Sequence, residues 1–240
     1  MNATCAEALV ASMAAEIRDG DVVATGVASP LAILAIAVAR ATHAPRLTYL
    51  ACVGAVNPDV GRLHASSEDL AYLDGRQGEM SIPELFDHAR RGRIDIIFFG
   101  AAEVDAAGCS NMSAIGSMAQ PKTKLPGVAG AAALRRWVNR PVLVVPKQTR
   151  RSLVAKVQVA STMDERPTPL LTDLGRFQVG RDGACLYSHR AWTTPVDVAE
   201  RTGFPFTVSK SVATDSPPPA ATLAAIRALD PDNLRERLVG

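Results

Sequence analysis

The sequence predicts an α/β fold: a single open, mostly parallel twisted sheet with helices on both faces, closed by a C-terminal hairpin and helices. Three observations predict it. "DVVATG", "SPLAILAIAVARAT" and "RLTYLACVG" read as strand, helix and strand, the order of a right-handed βαβ unit. "RIDIIFFGA" and "RPVLVVPK" are apolar without alternation, as in strands covered on both faces. The chain has 240 residues and is 48% hydrophobic, enough to bury one large core.

Each element has a local reason. "CAEALVASMAAEIRDGD" carries apolar residues at helical spacing, with Gly20 as its stop. Ser29 and Pro30 supply an N-cap and a first helical residue for "SPLAILAIAVARAT". "SIPELFDHARRG" opens with a capping box, Ser81 and Glu84, and ends at Gly92. "LTDLGRFQVG" and "ACLYSHRAW" are expected to form a hairpin turning at Arg181-Asp182-Gly183. "PVDVAERTG" and "PPAATLAAIRALD" are the closing helices, and Pro217–Pro219 a stiff connector. No repeat or composition break interrupts the chain, so residues 1–240 are expected to form one domain.

Composition excludes several functions. A net charge of +2 and 5% aromatic residues offer neither a polyanion footprint nor a stacking platform, so no nucleic-acid partner is expected. The most apolar stretch, "PLAILAIAVARA", falls well short of the ~20 residues a bilayer requires. Glu7, Glu16, Arg18 and Asp19 make the first twenty residues unlike a secretory leader. Cys5, Cys52, Cys109 and Cys185 are scattered without a CxxC pair, which predicts no metal site and a reducing, cytoplasmic setting. His43, His64, His88 and His189 form no HxxxH, HxH or Asp/His grouping, so neither a zinc centre nor a serine triad is expected.

Ligands of open α/β sheets bind beyond the carboxyl ends of the strands. Four glycine-bearing ends qualify: 24–30, 51–58, 98–116 and 125–133. They nominate Gly26, Ser29, Gly54, Asn111, Gly127, Gly130 and Ala131 as pocket and oxyanion-loop residues. Turns into helices, and polar groups satisfying turn backbone, explain the same residues without a ligand. Cys52 stands at one of these ends, where the second strand gives way to Gly54. Its flanks, Tyr49 to Val53, hold no base or cation to lower a thiol pKa, which favours a small buried filler over a nucleophile. As filler, Cys52→Ala is expected to leave activity within about tenfold, roughly 1.4 kcal/mol of barrier.

These stretches resemble the B (β) subunit of a class I coenzyme A transferase, nearest the glutaconate CoA-transferase type. "IRDGDVVATGVASPLAILAIAVARATHAPRLTYL" is similar to that family's first βαβ unit, and "FFGAAEVDAAGCSNMSAIG" to its "GGAQID-GN-N" stretch, with Cys109 in place of Asn. "PKTKLPGVAGAAA" resembles its oxyanion loop, where Ala129 stands in a run of glycines, and "LLTDLGRF" with "PVDVAERTGFPF" its closing signatures. The resemblance implies a CoA-transferase-like sheet, an acyl-CoA thioester as substrate, no permanently bound cofactor, and an A (α) subunit as partner in a heterodimer or heterotetramer. It also places Cys52 at the family's nucleophilic Glu, within Glu-x-Gly aligned on "CVG". Cysteine cannot form the glutamyl-CoA thioester, since attack by CoA on an acyl-cysteine restores acyl-CoA. A second branch, the two-subunit hydrolase that opens the last steroid rings as a CoA thioester, also lacks that glutamate and takes its base from the A subunit. Expected functions are therefore transfer or another acyl-CoA reaction, ring-opening hydrolysis, or a non-catalytic half that shapes the pocket.

Overall fold

The structure is a computed structural model that describes residues 3–239. In chain order its elements begin with α1 (Cys5–Ala15), β1 (Val22–Ala24), α2 (Pro30–Thr42), β2 (Thr48–Leu50) and β3 (Ala55–Val56). A 3-10 turn (Leu70–Leu73), β4 (Gly78–Glu79), α3 (Ile82–Arg90) and β5 (Ile96–Gly100) follow. Short strands come next: β6 (Glu103–Val104), β7 (Ser110–Asn111), β8 (Ala114–Gly116) and β9 (Pro121–Lys124). Then come α4 (Ala131–Trp137), β10 (Arg140–Val145), β11 (Thr168–Thr172), β12 (Gly175–Gly180) and β13 (Gly183–His189). The chain closes with α5 (Pro195–Glu200), β14 (Phe206–Thr214), α6 (Ala220–Leu229) and α7 (Leu234–Val239). The α/β class is the expected one. The 1–240 span divides into two compact units, residues 1–98 with 137–140 and 217–240, and residues 99–136 with 141–216.

In the first unit the strand order is β5-β1-β2-β3-β4. β1 pairs in parallel with both β2 and β5, as a βαβ crossover requires, and β3 and β4 extend the edge antiparallel. The reason is visible in the residues: Val23, Ala24, Tyr49, Ile96 and Ile97 are all buried. So are the ten residues Pro30–Ala39 of α2, a helix apolar all round because α1 and α6 both pack on it. Thr4 caps α1 in a capping box with Glu7, and Ser81 does the same for α3 with Glu84. Pro30 is the first residue of α2, as expected; Ser29 precedes it, but its hydroxyl donates to the Val27 carbonyl and caps nothing.

The second unit runs β10-β11-β12-β13-β14, with β10–β11 and β13–β14 parallel and the pairs between them antiparallel. The hairpin turning at 181–182 is the expected one. "LTDLGRFQVG" is not one strand, however: Thr172 ends β11 and Gly175 begins β12. The Thr172 hydroxyl accepts from the N–H groups of Leu174 and Gly175, and that bond makes the turn. Two more elements were not anticipated. β14 is exposed along most of its length, so it lacks the apolar run that marks a buried strand. In α4 the alanines after Gly130 prove to be helix formers, not loop.

Candidate functional site

The first unit builds one site around Cys52. β2 and β3 are joined by the tight turn Ala51–Gly54, closed by the Gly54 N–H on the Ala51 carbonyl at 2.9 Å. Cys52 is its first corner residue, which is why a thiol follows a buried strand yet stays partly accessible. Gly54 takes φ +94°, and a Cβ there would stand 3.3 Å from the Met80 carbonyl oxygen. Gly54→Ala is accordingly expected to destabilise the first unit by about 1–2 kcal/mol, measured by denaturant titration, since both the φ and the contact oppose a side chain.

What faces the sulfur comes from a distant loop. Sγ lies 3.3 Å from the Ser67 carbonyl oxygen and 4.0 Å from Oε1 of Glu68. Oε1 accepts from the Ser67 hydroxyl at 2.6 Å and the Ala28 N–H at 3.0 Å, and Oε2 from the Ser66 hydroxyl at 2.9 Å. The Ser67 hydroxyl in turn accepts from the Ser29 N–H at 3.1 Å. Residues 66–68 thus clasp the backbone that leads into α2, where Ala28 adopts φ +53°, strained for a residue with a Cβ. Behind the turn, Thr25 and the buried Tyr49 share a hydroxyl–hydroxyl hydrogen bond of 3.0 Å. Glu68 is the residue beside Cys52 that sequence reasoning missed; "HASSEDL" has no periodicity, and only its Ser-Ser-Glu run of capping groups hints at a clasp.

The electrostatics hold the sulfur as a thiol. Burial, then the negative charge of Glu68, push the Cys52 pKa above the ordinary thiol value, only partly offset by the hydrogen bond to Ser67. The Glu68 carboxyl is held below its usual range by hydrogen bonds from Ser67, Ser66 and Ala28, against an opposing effect of burial that is the largest single influence. A carboxylate so thoroughly hydrogen-bonded is a poor nucleophile, and a thiol with no cation beside it is a poor one too.

The other nominated residues fall into place separately. Gly26 follows β1 in open space, where a Cβ would meet nothing within 4 Å. In the second unit Asn111 is fully buried and turns inward: its amide N donates to Glu103 and to the Ala114 carbonyl, both at 2.7 Å. Its oxygen accepts from the Ser113 and Ala114 N–H groups, so its amide is spent on shaping the loop. The physical reason is burial, which obliges every polar atom to find a partner within the chain.

The glycine loop before α4 is more open. Gly127 takes φ +102° and gives its N–H to the Met112 carbonyl, and the Ala131 N–H goes to Val128. Ala129, the residue that interrupts the glycine run, does adopt a left-handed φ of +41°. Among the described residues the N–H groups of Val128, Ala129 and Gly130 have no acceptor within the chain. They are three backbone donors that an oxyanion or phosphate oxygen could use, Gly130 among them and Ala131 not. His189 is hydrogen-bonded to the Arg190 carbonyl, a structural arrangement. Among the described residues no group of His, Cys, Asp and Glu side chains could hold a metal ion, and no helix is long and apolar enough to cross a membrane.

Comparison with known proteins gives the family and the fold. The chain is 27% identical to the B subunit of the 3-oxoadipate CoA-transferase of Pseudomonas knackmussii, across 93% of this chain and 92% of that one. It is 25% identical to the B subunit of the glutaconate CoA-transferase of Acidaminococcus fermentans, across 96% and 94%. The crystal structure of that bacterium's glutaconate CoA-transferase matches at a TM-score of 0.83, covering 96% of each chain at 22% identity, a likeness of fold. A chain of the decarboxylase AibA/AibB is far more similar, at 62% identity, 99% coverage of both chains and a TM-score of 0.96. Variants of that decarboxylase with a cysteine changed to Val, Ser, Ala or Asn match as well, at 61% identity. Because the Coenzyme A transferase family model matches residues 7–173, well over half of the sequence, the chain belongs to the coenzyme A transferase family.

Proposed function

We propose that this chain is the B subunit of a two-subunit, cytoplasmic decarboxylase acting on a carboxylated acyl-CoA, with Cys52 as the proton donor. The observation that carries the reading is a thiol held protonated beside the Glu68 carboxylate, and the family resemblance aligns that thiol with the carboxylate the transfer reaction needs. The 62% identity to a chain of the decarboxylase AibA/AibB supports it, as does the naming of two relatives as B subunits, which implies an A-subunit partner. A heterodimer or a dimer of heterodimers follows from that pairing.

The chemistry suits these groups. Loss of CO2 leaves an electron pair that must enter the thioester carbonyl. The substrate is therefore an acyl-CoA that carries its carboxylate on the α carbon, or on the γ carbon of an α,β-unsaturated acyl group. No metal or organic cofactor is required, because the thioester itself is the electron sink. The new carbon–hydrogen bond forms as Cys52 gives up its proton, and the thiolate then regains one from solvent water. In the family's transfer reaction the attacking group must instead be an ionised nucleophile, which this thiol is not.

The test is the two-subunit enzyme in D2O with an enoyl-CoA bearing a γ-carboxylate, such as glutaconyl-CoA. One CO2 released per substrate, with one deuterium at the carbon that lost it and CoA still esterified, is the expected result. CoA passed to an added acid, or ring or thioester hydrolysis without CO2, would replace this reading by transfer or by hydrolysis.

A further inference from the structure

We infer that Glu68 is the positioning residue that keeps Cys52 in its protonated form, its carboxylate fixed 4.0 Å from the sulfur by Ala28, Ser66 and Ser67. The inference deepens the proton-donor reading above and rests on it. Three features of the clasp point this way. Every hydrogen bond to the carboxylate comes from a neutral donor, so its negative charge is oriented but not neutralised. Oε1, the oxygen bound by Ala28 and Ser67, is also the one nearest the sulfur, so the bonds that hold the carboxylate also aim it. The anchor at Ala28 is in the left-handed region, a local cost maintained where the chain enters α2 beside the thiol turn.

The groups facing Cys52 leave Glu68 as the one charge that acts on it. Tyr49 and Tyr72 are its other ionisable neighbours, and burial pushes both phenols above their ordinary value, so both are neutral at pH 8. A carboxylate at this distance disfavours a second negative charge. Before the reaction it keeps the acid form populated. After proton transfer it raises the energy of the thiolate, so the proton is promptly taken back from water and the thiolate does not persist as a stray nucleophile towards the thioester. Glu68 itself exchanges no proton and touches no substrate atom in this scheme.

The experiment reads the thiol directly. The two-subunit enzyme, without substrate, is alkylated with iodoacetamide between pH 6 and 10. The rate at Cys52 is resolved from those at Cys5, Cys109 and Cys185 by peptide mass spectrometry. Glu68→Gln is expected to alkylate about tenfold faster than wild type at pH 8, with the whole profile displaced to lower pH. Glu68→Asp, which keeps the charge, is expected to stay near wild type. A folded Glu68→Gln whose profile overlays wild type overturns the inference. Should that variant not fold, Glu68→Ala is read in its place under the same conditions, and a profile that overlays wild type overturns the inference. This readout needs no turnover. A displaced profile in an enzyme that releases no CO2 would keep the role of Glu68 and remove the decarboxylase reading.

Discussion

Cys52→Ala in the two-subunit enzyme is expected to lower the rate of CO2 release by about 10²–10⁴-fold, the usual worth of a positioned general acid. A filler cysteine predicts a loss within about tenfold, so the two roles are far apart on the same assay. The absence of a cation near Cys52, which argues against a nucleophile, is what a proton donor needs, because a thiol that must give a proton has to hold one first. Substrate affinity should change much less than turnover, since the proton is transferred only after CO2 departs. Cys52→Ser is expected to resemble the alanine variant, because a serine hydroxyl is a far weaker acid than a thiol. A Cys52→Ala enzyme with nearly full activity would return the residue to the role of filler.

Arg235→Leu is expected to cost about 3 kcal/mol and to lower the melting temperature of the chain by about 10 °C. The Arg235 side chain is 4% exposed and bridges Asp230 at 2.9 Å and Glu7 at 3.2 Å, both almost fully buried. Leucine fills comparable space but leaves the Asp230 carboxylate without its cation, the costly half of breaking a buried pair. Glu7 keeps Arg227, whose Nε lies 2.7 Å away. The same cluster gives a pH dependence. The hydrogen bond from Arg227 lowers the Glu7 pKa from its ordinary 4.5, so the folded chain binds this proton less readily than the unfolded chain. Its stabilisation is complete above the ordinary carboxylate range and is lost as the pH falls through the lowered value. Glu7→Gln should flatten that acid limb of a stability-against-pH curve, and an unchanged limb would show that other carboxylates set it.

The sequence by itself determined the elements whose cause is local. Parallel β1 and β2 around α2 follow from an apolar run, a proline at the first helical residue and another apolar run. The capping box at Ser81 and Glu84 and the hairpin turn at 181–182 follow from side chains that bond their own neighbourhood. Family kinship was legible in the same way, because motifs are contiguous. β14 and the break between β11 and β12 were not: one is an exposed strand without an apolar run, and the other turns on a single threonine hydroxyl.

Only the tertiary structure decided the chemistry around the sulfur. Glu68 and Ala28 are 40 positions apart, and Glu68 and Cys52 are 16 apart in a segment without regular period. Nothing local in "HASSEDL" says which backbone its serines and glutamate will bind. It is also tertiary burial that turned Asn111 from a nominated pocket amide into a loop support. The physical reason is common to both. A side chain's local partners are set by covalent neighbours and can be read in order, whereas the field at a buried atom is set by whichever distant groups the packed chain brings within a few ångströms.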